Sequence, residues 1–201
     1  MTELKLRSGS GLVIVAHPDD ETIWMGGTIL SFPHVRWTIF SLCRGDDLDR
    51  APRFKKACRL YGARAIISDL EDEGVMNIQE SIAQIARRIA KLVPRRRFDY
   101  LVTHGYNGEY GHPRHKGVYR AVYDLVRRKK LRAEKVFTFA YHLDERKGYA
   151  RPDARSDFLL ALSEKTFRAK QRIITDLYGF TENSFECRSA SARETFRSLN
   201  I

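Results

Sequence analysis

Two clusters of imidazoles and carboxylates stand far apart in this sequence. His17-Pro18-Asp19-Asp20-Glu21 follows directly on the apolar run Leu12-Val13-Ile14-Val15-Ala16. His112-Pro113-Arg114-His115 closes a glycine-rich stretch that begins at His104. Imidazole nitrogens and carboxylate oxygens are the ligands of catalytic zinc, which typically takes about three protein donors and keeps one position open. His17 and Asp20, on a strand-to-helix turn, can reach one ion together, and the 112–115 segment can supply the third donor. Asp19, between the two, can then stay off the metal and act on water. The competing reading has Asp19 or Asp20 merely capping the helix that follows. A second histidine-bearing loop, at a second strand end, favours the metal.

Residues so far apart converge only on a rigid frame, and the hydrophobic pattern predicts one. Residues 12–16 form a continuous apolar run, as expected of a strand covered on both faces. Further strands are predicted at 35–42, 65–67, 100–103 and 136–140. Helices are predicted at 21–31, 49–61, 78–93, 115–130 and 163–177; the stripe Ile78, Ile82, Ile85, Ala86, Ile89, Val93 has a period near 3.6 and ends at Pro94. The alternation predicts an α/β, Rossmann-like three-layer α/β/α arrangement with a mostly parallel sheet, as one domain over 1–201. Residues 143–157 read as loop, and the last twenty as an irregular section. In such sheets ligands sit beyond the carboxyl ends of the strands, where strand order reverses. The first and fourth strands end in the two clusters, so they face one crevice if those strands are neighbours. Two adjacent carboxylates where a dinucleotide fold carries GxGxxG would repel a pyrophosphate, which argues against a dinucleotide site.

Composition narrows the class. Hydrophobic residues make up 43% and charged residues 30%, enough apolar material for a core, which excludes disorder of the whole chain. No apolar run approaches the roughly 18 residues of a membrane span, and the N-terminus lacks a signal-peptide core, so a cytoplasmic protein is expected. The net charge of +11 admits nucleic acid or another polyanion as partner. The basic runs at 95–97 and 127–130 read instead as solvated helix ends, without aromatic interleaving, and nucleic acid is not favoured. Cys43, Cys58 and Cys187 are scattered and odd in number, giving neither a disulfide framework nor a metal knuckle.

Ala16-His17-Pro18-Asp19-Asp20-Glu21, continuing through Gly26-Gly27-Thr28-Ile29, resembles the signature of the PIG-L/LmbE-like family of zinc-dependent N-deacetylases. Asn107-Gly108-Glu109-Tyr110-Gly111-His112-Pro113-Arg114-His115 resembles that family's second motif. The resemblance covers 11–140 and weakens afterwards. It implies that His17, Asp20 and His115 ligate Zn2+, although two imidazoles and a carboxylate also accept Fe2+, Co2+ or Mn2+. It makes Asp19 the general base, His112 the imidazolium that stabilises the oxyanion, and Tyr110 a group that polarises the amide carbonyl. It further implies a small N-acetylated sugar or conjugate, of the N-acetylglucosamine type, as substrate.

One position departs from the family. Many members carry aspartate where this chain has Arg114; that aspartate would orient His112 and raise its pKa, whereas an arginine would lower it. Glu109 is one carboxylate that could hold His112 instead, and Arg114 is a candidate for an anionic substrate group. The family often has a substrate-binding arginine on the helix after the second strand, here Arg50 or Arg53; counting back from Tyr61-Gly62 favours Arg50. Asn107, with Tyr106, lies in the glycine-rich loop and is a candidate for sugar hydroxyls, and His104 for the pocket wall. His34 and His142 lack a constellation, and Trp24 and Trp37 read as core. A metal amidase or esterase acting on a non-sugar acyl substrate is the rival enzyme. A basic nucleic-acid or anion-binding module is the rival of another class. A homo-oligomer whose neighbouring loop completes the pocket stays open.

Overall fold

The structure is a computed structural model and describes residues 1–94 and 97–199, so Arg95 and Arg96 of the first basic run lie outside the described residues. Its elements are β1 (Thr2–Glu3), β2 (Gly9–Val15), α1 (Asp20–Ser31), β3 (Val35–Cys43), α2 (Arg50–Leu60), β4 (Arg64–Leu70) and α3 (Ile78–Leu92). There follow β5 (Arg97–Thr103), the short α4 (Gly108–Gly111), α5 (Pro113–Arg127), β6 (Arg132–Phe139), β7 (Tyr141–Asp144) and β8 (Tyr149–Pro152). The chain ends with β9 (Phe158–Ala161), α6 (Glu164–Arg172), a π-helical turn over Ile173–Leu177, α7 (Phe185–Ser189) and β10 (Arg193–Ser198).

An eight-stranded sheet runs in the order β1-β9-β10-β6-β5-β2-β3-β4, with β6, β5, β2, β3 and β4 mutually parallel. From β2 the chain winds outward through β3 to β4, then returns to place β5 on the other side of β2 and continues to β6. The reversal lies between β2 and β5, as the position of the two clusters requires. The run after Gly11 is apolar throughout because both faces are covered. Val13 and Val15 pack with Trp24, Phe54 and Tyr141, and Leu12, Ile14 and Ala16 with Ile85, Ile89, Val118 and Val122.

The C-terminal third is more ordered than the sequence pattern suggests. The stretch expected as loop contains the antiparallel pair β7 and β8, whose signal is masked by charge: Arg151 Nη1 bonds Asp144 Oδ2 at 3.1 Å across the ribbon. β10 lies between β6 and β9, antiparallel to both. Its buried Glu194 looks like a surface residue in sequence but pairs with the equally buried Lys170 of α6 at 2.7 Å. Glu194 also accepts from Gly27 N (2.8 Å), Thr28 N (2.6 Å) and Thr28 Oγ1 (2.6 Å), which ties β10 to α1. α1 kinks at Met25 (φ −149°, ψ 17°), just before these amides. The paired glycines have a steric reason as well. A Cβ on Gly27 would stand 2.2 Å from Leu162 Cδ1, and one on Gly26 2.9 Å from the Tyr61 hydroxyl.

Candidate metal centre

β2 and β5 are in register at Ile14↔Thr103, and Thr103 Oγ1 donates to Ile14 O at 2.9 Å. Just beyond, Ala16 N donates to His104 Nε2 at 2.9 Å. The two chemical loops therefore leave the sheet side by side. At the first of them Asp19 adopts φ 119°, a conformation that L residues rarely take, and Asp20 starts α1.

Here His17, Asp20 and His115 converge. His17 Nδ1 lies 3.4 Å from Asp20 Oδ2 and 3.3 Å from His115 Nε2, and His115 Nε2 lies 3.4 Å from Asp20 Oδ1. The two contacts to Asp20 end on different oxygens of its carboxylate; with one donor atom taken from each residue, the three lie within 4.8 Å of one another, close enough to share one ion. Asp20 is oriented by the backbone N–H of His17 on Oδ2 (2.8 Å) and the Trp24 indole N–H on Oδ1 (2.9 Å). Trp24 is thus core, as expected, and also a partner of the site.

The second ring nitrogens matter as much. His115 Nδ1 is 2.6 Å from Glu109 Oε2, and His104 Nδ1 is 2.7 Å from the same oxygen. Gly105 N donates to Glu109 Oε1 at 2.6 Å. Glu109 reaches inward because its backbone sits at φ 58° in the kinked α4. Glu109 therefore serves His115 and His104 and does not hold His112, the role offered for it from sequence. Glu109 and Asp20 pull the His104 pKa up to about 9 against the burial that lowers it. The Ala16 N–H aimed at Nε2 opposes a second proton, so we take the ring as neutral, with its proton toward Glu109. On His17, burial lowers the pKa but Asp20 and Asp72 outweigh it and lift it to about 10. Two carboxylates that hold a proton on an imidazole are carboxylates that attract a cation.

The remaining candidates divide. Asp19, Tyr110, His112 and Arg50 line a cavity of about 370 Å³ together with His17, Asp20, Arg44, Asp72, Phe185 and Glu186. Arg50 Nη1 reaches Asp19 Oδ2 at 2.5 Å, with its guanidinium 4.9 Å from the Phe180 ring centre. Arg53 turns elsewhere, to Asp49 Oδ1 (2.7 Å) and Leu177 O (2.8 Å). Asn107 donates to Tyr141 O at 2.7 Å and does not line the cavity. Arg114, 6% exposed, bonds Glu71 Oε2 at 3.2 Å. His112 is held down to about 4, by burial first and then by the His115 and His17 rings, so near neutral pH the ring is a neutral donor and not the imidazolium that the resemblance implies. Its Nδ1 accepts the Arg114 backbone N–H at 3.2 Å. Arg44, Asp72, Phe185 and Glu186 were not found from sequence, because none lies in either motif.

Comparison with known proteins gives the lineage. Residues 12–126, more than half of the chain, match the family model described as PIG-L: GlcNAc-PI de-N-acetylase. An uncharacterized protein of Acanthamoeba polyphaga mimivirus is 25% identical over 130 residues, 57% of this chain and 56% of that one. The chain thus spans about half the length of that relative. Among solved structures, N,N'-diacetylchitobiose deacetylase of Pyrococcus horikoshii superposes with a TM-score of 0.65 at 15% identity, over 94% of this chain and 83% of its own. A deacetylase of teicoplanin biosynthesis gives 0.62 at 13% identity, over 88% of each chain. The 4-carboxy-2-hydroxymuconate hydratase of Pseudomonas putida gives 0.63 at 16%, over 96% of each. One fold thus carries both hydrolysis and hydration, so its likeness alone does not name a reaction.

Proposed function

The chain belongs to the PIG-L family, described as GlcNAc-PI de-N-acetylases, and on that premise we propose that it is a zinc-dependent hydrolase that removes acetyl from an N-acetylglucosamine-type sugar or conjugate. The observation that carries this reading is the convergence of His17, Asp20 and His115, one donor atom from each within 4.8 Å of the others. These three residues would hold the metal. When bound, a divalent ion of this kind polarises a carbonyl and brings the pKa of a water to about 7.

The other roles fall to side chains around the cavity. Asp19 takes the proton of the attacking water and returns it to the departing amine. Its proton affinity suits that role, since burial and the charge of Asp20 raise its pKa well above the usual carboxylate value, with Arg50 opposing. Tyr110 and His112 stand on the α4–α5 side of the cavity, where a donor can meet the oxygen of the tetrahedral intermediate; one such donor is typically worth about 3–4 kcal/mol. Arg50, bonded to Asp19, is placed to exchange that partner for the substrate. The products are acetate and a free amine.

The test is metal analysis of unsupplemented protein followed by an acetate-release screen over N-acetyl sugars and their conjugates, with and without chelator. Stoichiometric metal with chelator-sensitive acetate release is expected. Metal-loaded protein that releases acetate only from non-sugar N-acyl compounds would replace the sugar assignment with an amidase. Protein that binds no metal would remove the hydrolase reading.

A further inference from the structure

Behind His17, on the side away from Asp20 and His115, lies a group of charges from two loops and one helix. Asp72, just past β4, brings Oδ2 to 3.0 Å from His17 Nε2, while His17 Nδ1 faces the metal triangle. Arg44 Nη2 donates to the same Oδ2 at 3.3 Å, and Arg114 Nε lies 3.7 Å from Oδ1. Arg114 is anchored in turn through Glu71, whose carboxylate also accepts the backbone N–H groups of Val75 (3.1 Å) and Met76 (3.0 Å). The turn after β4 is thereby fastened to the start of α5, one residue before His115.

This cluster could serve a second ion or the first one. Cys43 Sγ, a ring nitrogen of His17 and a carboxylate oxygen of Asp72 are close enough together to hold a second cation. Two guanidiniums already face Asp72 at 3.3 and 3.7 Å and would repel one. Without a second ion, a carboxylate beside Nε2 favours the proton on that nitrogen and leaves the Nδ1 lone pair for the triangle. Glu109 hydrogen-bonds the outer nitrogen of His115 at 2.6 Å, whereas Asp72 meets that of His17 as an ion-pair contact at 3.0 Å, so each candidate imidazole ligand has a carboxylate behind it.

We propose that Asp72, bonded by Arg44 and flanked by the charge of Arg114, is a positioning residue that fixes the ring and tautomer of His17 for metal binding. Arg114 acts on the metal site through Asp72 and not through His112. The proposal rests on the metal-site reading above.

The test uses the full chain stripped of metal, with Zn2+ titrated against a chromophoric chelator and the melting temperature of the metal-free protein recorded in parallel. Asp72→Asn should weaken zinc binding by about 10- to 100-fold, the usual cost of losing such an outer carboxylate, with little change in the metal-free melting temperature. Arg114→Gln should cause a smaller loss and Arg114→Lys least. The double variant should bind zinc no more weakly than Asp72→Asn alone, because Arg114 works through Asp72. Zinc affinity of Asp72→Asn within about twofold of the parent, or additive losses in the double variant, would overturn the proposal. Should Asp72→Asn not fold, the two Arg114 variants decide it: equal affinities for Gln and Lys overturn it, and a deficit only in Gln supports it. Absence of zinc binding in the unaltered protein would instead sink the metal reading beneath it.

Discussion

Glu109→Gln replaces one oxygen by an amino group at a point where three buried donors converge. The carboxylate accepts His104 Nδ1 (2.7 Å) and His115 Nδ1 (2.6 Å) on one oxygen and Gly105 N (2.6 Å) on the other. Neither His104 Nδ1 nor Gly105 N can turn into an acceptor, since the His104 tautomer is fixed by the Ala16 N–H and Gly105 N is backbone. If the new amide keeps its oxygen toward the rings, its amino group meets Gly105 N; if it flips, it meets the fixed ring N–H of His104. The better arrangement still leaves a buried donor unpaired, which costs about 1–3 kcal/mol, and it turns two charge-assisted bonds into neutral ones of roughly half the strength. The sum is about 2–5 kcal/mol, or a melting temperature lower by about 4–20 °C in a chain of this size. Loosening the ring of His115 should also weaken zinc binding by about 10- to 100-fold. Differential scanning calorimetry of the metal-free protein reads the first effect, and chelator competition reads the second. A melting temperature within about 1 °C of the parent, with unchanged zinc affinity, would refute the assignment of both ring protons to Glu109.

Asp19→Asn should keep its metal yet release acetate about 100- to 10,000-fold more slowly, measured as kcat beside metal content; a loss of only a few fold would move the general base elsewhere. Glu194→Ala leaves the buried ammonium of Lys170 unpaired, at a cost of about 3–5 kcal/mol, so thermal unfolding should occur about 6–20 °C lower; an unchanged melting temperature would show that the pair does not hold α1. Asp99 is held below the ordinary carboxylate value by the N–H (2.6 Å) and hydroxyl (2.8 Å) of Ser10, joining β5 to β2. A carboxyl with a lowered folded pKa contributes stability that is present above its unfolded value of about 4 and lost as the pH falls. Asp99→Asn should therefore flatten the acid side of melting temperature against pH, and an unaltered slope would count against that bond.

The parallel half of the fold was legible because its strands are covered on both faces and its helices carry a single apolar stripe, as in Ile78, Ile82, Ile85 and Ile89. β7, β8 and β10 were not, because their pairing rests on cross-strand charges and on the buried Lys170–Glu194 pair, which in sequence resemble solvated surface. The site divides in the same way. Residues inside the two motifs could be named because imidazole and carboxylate at such spacing have few other uses. Asp72 and Arg44 could not, since an acidic or basic residue after a strand carries no periodic signal. Their role is set by the order β5-β2-β3-β4, which brings the ends of three strands around His17.

The adjacent carboxylates of Asp19 and Asp20 illustrate what the local backbone contributes. In a flexible peptide they would share one environment and titrate alike. At φ 119° Asp19 turns its side chain toward Arg50, while Asp20 enters the first turn of α1 and faces the imidazoles. Burial raises both, but for Asp20 the imidazoles gathered on its carboxylate, those of His115, His104 and His17, more than reverse it, and it is held well below the usual range. Arg50 does not reverse it for Asp19, which also bears the charge of Asp20 and stays well above. Environments that drive two neighbouring carboxylates apart in this way give them different roles. The one that remains ionised is suited to hold a cation, and the one with the higher proton affinity is suited to take and return a proton. That division is what a ligand at Asp20 and a base at Asp19 require, and it depends on a backbone conformation that no composition or spacing encodes.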